Sequence, residues 1–189
     1  MKLDDFNYFL PKELIAQSPA DKIAQSKLLL SDNKKIIAFK SLVDTLSDKD
    51  LLVFNDTKVM PVVIKGSLNN KEIKVTLLES LGSYKWKAFI KPAKKVNQGD
   101  IIEFRDGISL KVNKKENSIV DIKFSLTKKE LLSYLDKYGN LPLPPYIKSK
   151  PNRSLDEKNY QTIFSKNYGA VACPTAGLHF KLDLLKDLK

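Results

Sequence analysis

From residue 62 to 125 the chain is cut into short segments that alternate apolar and polar side chains, each closed by turn-forming residues. In EIKVTLLES, Ile73, Val75 and Leu77 fall on one face, with charged or polar residues between most of them. KWKAFIKP, DIIEFRDG, ISLKVNKK and SIVDIKFS follow at regular spacing, with turns at Gly82-Ser83, Gln98-Gly99, Asp106-Gly107 and Glu116-Asn117. A period of two belongs to a strand with one face buried and does not fit the helical period of 3.6. Five or six such strands, joined by short turns, predict a small antiparallel β-barrel. Thr127 and Glu130 then form a capping box that opens an amphipathic helix, and Gly139 can end it.

The flanks are more mixed. LPKELIAQ (10–17) reads as a short helix with Pro11 in its first turn, a position proline tolerates. KLLLSD and KIIAFK flank Asp32-Asn33 and predict a hairpin. Ser41 to Leu46 predicts a short helical turn. DLLVFND (50–56) is an apolar run ending in polar residues, the pattern of a buried strand that delivers a loop. LPLPPYIK (141–148) predicts an extended linker or wall, because each proline biases the residue before it away from helix. Ser154 and Glu157 read as a second capping box, leading a helix through NYQTIF, and YGAVAC reads as a short strand. In LDLLKDL, Leu182, Leu185 and Leu188 form an apolar stripe that needs a partner, so the fold reads as incomplete.

Charge narrows the choice of partner. The net charge is +11, but residues 1–60 carry nine basic and nine acidic side chains and net to zero. Residues 61–150 carry eighteen basic and nine acidic ones, a net of +9. An excess concentrated in the middle of the chain is the footprint of a polyanion site and predicts a nucleic acid partner. A solvated lysine surface is the alternative, since 31 of the 33 basic residues are lysine. The single cysteine, Cys173, cannot form an intramolecular bridge and reads as a small core residue. No stretch approaches the roughly 18 apolar residues of a membrane span, and the acidic MKLDDF start is unlike a signal peptide. Composition therefore predicts a soluble, cytoplasmic chain with no membrane partner.

Glycine-rich phosphate loops and Cys/His zinc spacings are absent, so no metal is expected. Two segments remain as chemistry carriers. FNDTKVMP puts Asn55, Asp56, Thr57 and Lys58 at the end of an apolar run, where a carboxylate, amide, hydroxyl and ammonium can hold a polar ligand or pass a proton. A polar turn capped by Asp56 is the alternative. In CPTAGLHF, Pro174 and Gly177 shape a loop, and the backbone N–H groups of Thr175 to Leu178 can meet an anionic group. His179, the one histidine, is the natural acid–base candidate, against a histidine satisfied by a backbone carbonyl.

LPKELIAQSP, DLLVFNDTKVMP, LPLPPYIK, YQTIF and AVACPTAGLHF, in that order and spacing, resemble the S-adenosylmethionine:tRNA ribosyltransferase-isomerase family of queuosine biosynthesis. The resemblance implies an α/β fold, a core domain with a small antiparallel β-barrel inserted into it. Its boundaries would be 1–61 for the first part of the core, 62–145 for the barrel with its helix, and 146–189 for the core continued and cut short. The implied reaction moves and isomerises the ribosyl unit of S-adenosylmethionine onto 7-aminomethyl-7-deazaguanine in tRNA, giving epoxyqueuosine and releasing adenine and methionine. His179 and Asp56 would handle protons. Asn55, Thr57, Lys58, Pro174, Thr175 and Gly177 would bind substrate.

S-adenosylmethionine serves there as the ribosyl donor and tRNA as the acceptor, with the enzyme a monomer. Family members run well past this length, so the resemblance implies a truncated N-terminal portion that a separately encoded C-terminal half would complete. The alternative is an inactive remnant or a basic RNA-binding module. Usual family arginines are missing from ADKIAQSK (20–27), at Lys58 and in VVIK (62–65), and Cys173 stands for an alanine and Lys181 for a threonine.

Overall fold

In a computed structural model of the chain, residues 1–18, 26–82, 84–147 and 153–188 are described. Most of ADKIAQSK, together with Ser83 and Lys148, lies outside them. The chain divides into two compact units. One comprises Met1–Val53, Leu143–Pro151 and His179–Lys189, and the other Phe54–Pro142 and Asn152–Leu178.

The second unit is built on the barrel. After β3 (Thr57–Val59), the strands are β4 (Val63–Leu68), β5 (Lys71–Ser80), β6 (Lys85–Lys91), β7 (Ile101–Glu103), β8 (Ser109–Glu116) and β9 (Ile119–Phe124). They close in the order β4-β5-β6-β9-β8-β7, antiparallel throughout, with Ser67 opposite Glu103 at the seam. The alternation read from the sequence sets the inside. Ile73, Val75 and Leu77 of β5, and Trp86, Ala88 and Ile90 of β6, all point into the core. Burying each of the valine, leucine and isoleucine side chains among them contributes about 1.5–3 kcal/mol.

The first strand went unnamed in the sequence because VVIKGSL contains a glycine, which weakens the strand signal. A Cβ at Gly66 would lie 2.6 Å from the Glu103 carbonyl oxygen and 2.8 Å from the Phe104 ring, so this residue is what lets β4 approach the β7 region. Val62 and Val63, two of the positions where the family resemblance expects an arginine nearby, are buried in this wall.

Helix α1 (Lys128–Tyr138) begins as expected. The Thr127 hydroxyl accepts from the Glu130 amide at 3.3 Å while the Glu130 carboxylate accepts from the Thr127 amide at 2.8 Å. Leu131, Tyr134 and Leu135 cap the barrel core. Gly139 follows the helix with an ordinary negative φ of −72°, and its need for glycine is steric, since a Cβ would collide with the Pro61 carbonyl. Helix α2 (Arg153–Asn159) contains Ser154 within its first turn, so Ser154 is not its N-cap, and the helix stops before Gln161. Strand β10 (Asn167–Ala170) pairs parallel with β3.

In the first unit, β1 (Lys27–Leu30) and β2 (Lys35–Ala38) form the expected hairpin. The stretch Lys12–Leu14 is only a single 3₁₀ turn, and Phe39–Thr45 is a longer one. The expected strand over DLLVFND does not form. Residues 51–53 are exposed, Leu51 and Val53 at 86% and 84%, and no strand among the described residues pairs with them. Segment 141–148 is not wholly extended, because the Ile147 amide donates to the Pro144 carbonyl in a turn. Helix α3 (Leu182–Asp187) buries Leu184, while Leu182 is 66% exposed, so the stripe read from i, i+3 spacing is not its inward face. Among the described residues, no helix is long and apolar enough to cross a membrane.

Candidate functional site

The parallel pair β3–β10 brings two distant parts of the sequence side by side in the second unit. Thr57 lies opposite Asn167 and Lys58 opposite Tyr168. The Asp56 carbonyl accepts from the Lys166 amide at 2.7 Å and the Asn167 amide at 3.2 Å, and its carboxylate accepts from the Asn167 side-chain amide at 2.8 Å. The turn before β3 is capped by Asn55, not by Asp56. The Asn55 side-chain oxygen accepts from the Thr57 amide at 2.9 Å and the Thr57 hydroxyl at 2.6 Å, the local bonding that favours asparagine in turns. Asn55 and Asp56 are exposed, Thr57 and Lys58 half-buried.

On the other edge of β3, the buried Val59 has both backbone groups taken by one side chain. Its amide donates to Gln161 Oε1 at 3.0 Å, and its carbonyl accepts from Gln161 Nε2 at 2.8 Å. Gln161 thus replaces a missing neighbour strand, as a buried backbone requires. The Lys58 ammonium sits 4.7 Å from the centre of the Tyr168 ring, a cation–π distance. The Tyr168 hydroxyl donates to Asp136 at 3.2 Å. Lys58, Asp136, Glu157, Gln161 and Tyr168 line a recess of about 270 Å³ with an apolar floor of Val59, Pro61 and Leu141. Its lining carries an ammonium, two carboxylates, an amide and a ring, with the Gln161 amide held by Val59 and the Asp136 carboxylate accepting from Tyr168. Sequence reading missed Gln161, Tyr168 and Asp136. The first two lie in YQTIF and YGAVAC, which look like structural segments until β3 and β10 are known to be neighbours.

The CPTAGLHF segment differs from its expected form. Thr175–His179 is itself a 3₁₀ turn, and the Gly177 amide donates to the Pro174 carbonyl at 2.9 Å. That N–H is therefore not open to an anion, and α3 begins only after Lys181. Gly177 packs on Thr162, whose methyl would be 3.0 Å from a Cβ there. The Thr162 hydroxyl is buried, with no hydrogen-bond partner among the described residues. Pro174 is half-buried and Thr175 exposed. Cys173 is buried, and desolvation pushes its thiol up to about 11, which suits a packing role and not a nucleophile.

His179 belongs to the first unit, apart from the unit that holds Asp56. Its ring lies 5.1 Å from the Phe39 ring, and Phe180 meets Phe39 edge-on at the same distance. The His179 Nδ1 is buried, and among the described residues no hydrogen-bond partner, backbone carbonyl or other, reaches it. Such a nitrogen is costly to leave unpaired and calls for an explanation. Among the described residues, no group of three or more His, Cys, Asp or Glu side chains is placed to hold a metal.

A family model described as queuosine biosynthesis protein matches residues 3–189. The S-adenosylmethionine:tRNA ribosyltransferase-isomerase of Finegoldia magna is 41% identical over 197 residues, aligning all of this chain with 55% of that protein. That of Rickettsia bellii is 40% identical over 207 residues, with all of this chain and 58% of the relative aligned. A crystal structure of S-adenosylmethionine tRNA ribosyltransferase from Thermotoga maritima aligns with 97% of this chain and 53% of its own, at 25% identity and a TM-score of 0.36. The chain thus spans a little over half the length of the curated relatives it matches. Matched along nearly all of its residues by that family model, the chain belongs to the queuosine biosynthesis protein family.

Proposed function

We propose that this chain forms part of an S-adenosylmethionine:tRNA ribosyltransferase-isomerase. The reaction joins the ribosyl unit of S-adenosylmethionine to 7-aminomethyl-7-deazaguanine in tRNA and rearranges it to epoxyqueuosine, with adenine and methionine leaving. What supports this reading is family membership over 3–189 together with the pairing of β3 and β10, which sets the FNDTK segment against Asn167 and Tyr168. The chemistry asks for a base, because a sulfonium acidifies the hydrogens on the adjacent ribose carbon, and for proton delivery or hydrogen bonding to the departing adenine. Asp56 and His179 are assigned those proton roles. Asp56 is held in place by Asn167, and the buried Nδ1 of His179 has no partner among the described residues.

Lys58 and Thr57 would hold substrate from β3, with Asn55 fixing the turn that presents them. Pro174, Thr175 and Gly177 would shape the second loop. The recess beside Lys58 is slightly smaller than the roughly 300–1,000 Å³ of drug-sized ligand sites, so it fits one end of a molecule such as S-adenosylmethionine. Its ammonium and carboxylates match the charged amino-acid end. The protein is taken to be cytoplasmic, since its substrate tRNA is.

The test is adenine release from S-adenosylmethionine with substrate tRNA, by the chain alone and with the remaining half of a full-length relative supplied. Release above background in either arm, lost in Asp56→Asn or His179→Ala, is the expected result. Full ribosyl transfer by both variants would remove the proton assignments. A second reading, RNA binding without catalysis, is favoured by a barrel that is closed around its own core and carries the excess charge. Salt-dependent tRNA binding without adenine release in either arm would select it.

A further inference from the structure

Two rows of facing lysines cross the barrel: Lys65–Lys74–Lys91, in which Lys65 pairs with Glu72, and a second on β6, β9 and β8. In the second, on the outer surface, Lys85 of β6 lies directly opposite Lys123 of β9, and Lys123 lies directly opposite Lys111 of β8. All three are exposed. Adjacent strands run about 4.8 Å apart, so three like charges stand in a line about 10 Å long. Like charges directly opposite one another destabilise a sheet, and a sequence selected for stability alone would break such a row with an acid.

The next row along the same strands does so. There Asp121 lies opposite both Lys87 and Lys114. Lys87 also pairs with Glu79 at 3.7 Å, and Lys114 pairs with Glu116. Among the described residues, no ion pair reaches Lys85, Lys111 or Lys123.

A second feature stands at the same end of the barrel. Tyr84, immediately before Lys85, is 39% exposed and holds a φ of +68°. An aromatic residue in the left-handed region is a standing backbone cost and calls for a reason. Its carbonyl accepts from the Phe124 amide at 2.8 Å, which fixes the turn one step beyond the Lys85–Lys123 pair. An exposed aromatic residue next in the chain to a cationic row is the combination that single-stranded nucleic acid uses, with phosphates on the lysines and a base on the ring.

We propose that the Lys85–Lys123–Lys111 row and Tyr84 are the surface on which the barrel takes unpaired RNA, the lysines holding phosphates and Tyr84 stacking a base. It rests on the tRNA reading above only for which RNA is bound. The row restates neither the catalytic candidates nor the recess beside Lys58.

The experiment is fluorescence anisotropy of the whole chain with labelled substrate tRNA and with an unstructured oligoribonucleotide, titrated across salt. Lys85→Gln, Lys111→Gln and Lys123→Gln are combined in one variant. The control combines Lys27→Gln, Lys35→Gln and Lys40→Gln, which removes the same charge from exposed positions in the electroneutral first 60 residues. Three lost phosphate contacts should make the slope of log K against log salt shallower by about 2–3, a roughly hundredfold weaker complex at 0.1 M salt. Tyr84→Ala should weaken binding roughly tenfold without changing the slope. Circular dichroism melts confirm that each variant is folded, and removing exposed like charges should not lower its melting temperature.

The control should bind as the parent does. A row variant within twofold of the parent, or a control that falls as far, overturns the proposal. Loss of binding to both RNAs, with the parent holding tRNA no more tightly than the oligonucleotide, keeps the row and removes the tRNA reading. Tight tRNA binding that the row variant retains does the reverse. A parent that binds no RNA, but captures an acidic protein through the row, removes both.

Discussion

Replacing Gln161 separates a side chain that supports the site from one that merely lies near it. Val59 is 1% exposed, and both of its backbone groups depend on the Gln161 amide, at 3.0 and 2.8 Å. Leucine has similar bulk and neither polar atom, so Gln161→Leu leaves a buried N–H and a buried C=O unpaired. Each such orphan costs about 1–3 kcal/mol, and with partial access of water to the half-buried position the sum should be about 3 kcal/mol. The reporter is the Met60 amide, which donates to the Ala170 carbonyl at 3.0 Å and so reads the β3–β10 pair without touching Gln161 itself. At 1.4 kcal/mol per factor of ten, its hydrogen-exchange protection should fall about a hundredfold.

Gln161→Glu gives a signed control. Its carboxylate can still accept from Val59 N–H but turns an oxygen toward the Val59 carbonyl, so the folded state favours the protonated form. The folded pKa of this introduced group is then raised above the unfolded value. The stability it can contribute is present below about pH 4.3 and is lost as pH rises through the folded value. Relative to the parent, this variant should therefore recover at pH 4. Unchanged Met60 protection in Gln161→Leu, or no relative recovery of Gln161→Glu in acid, would refute the reasoning.

The other predictions address the barrel and the second loop. Gly66→Ala forces a methyl to within 2.6 Å of the Glu103 carbonyl at the closing seam, and should cost about 3 kcal/mol, or roughly 6–12 °C in melting temperature. A melt unchanged within error would mean that the seam is looser than it looks. Thr127→Ala removes the capping hydroxyl of α1 and should lower stability by about 1 kcal/mol in urea unfolding, while Thr127→Ser restores it. Cys173, raised from 9.0 to about 11 by burial, should hold about a hundredfold less thiolate than an unfolded chain at pH 8 and react with a thiol reagent correspondingly slowly. Between about pH 9 and 11 the unfolded chain ionises first, so this thiol makes stability fall as pH rises through that window. Equal reaction rates in native and denatured protein would contradict its burial.

What could be read from the sequence divides along the physics of each segment. The barrel was legible because most of its strand pairs join strands that follow one another in the chain. Each strand has one buried face, so Ile73, Val75 and Leu77 declare the inside by alternation alone. The Thr127–Glu130 box is equally local, being complete within four residues. DLLVFND failed because an apolar run states only that burial is favourable, and not which neighbour supplies it. The α3 stripe failed for a related reason. Six residues of helix carry too few apolar positions to choose between Leu182 and Leu184, and packing on the 3₁₀ segment at Phe39 decides it. The candidate site lies at the far end of this scale.

Asn55 to Lys58 were found because four polar residues after an apolar run are conspicuous. Their partners Gln161, Asn167 and Tyr168 lie more than 100 residues away and gain meaning only through a three-residue parallel pairing. Parallel strands need a long crossover, so their register leaves no local trace. Here that crossover contains the entire barrel. Family resemblance could point to both segments, yet only the fold shows that one glutamine holds the strand on which Thr57 and Lys58 stand. A test at Gln161 therefore probes the candidate site through its support, and does so whether or not the proton roles of Asp56 and His179 survive their own substitutions.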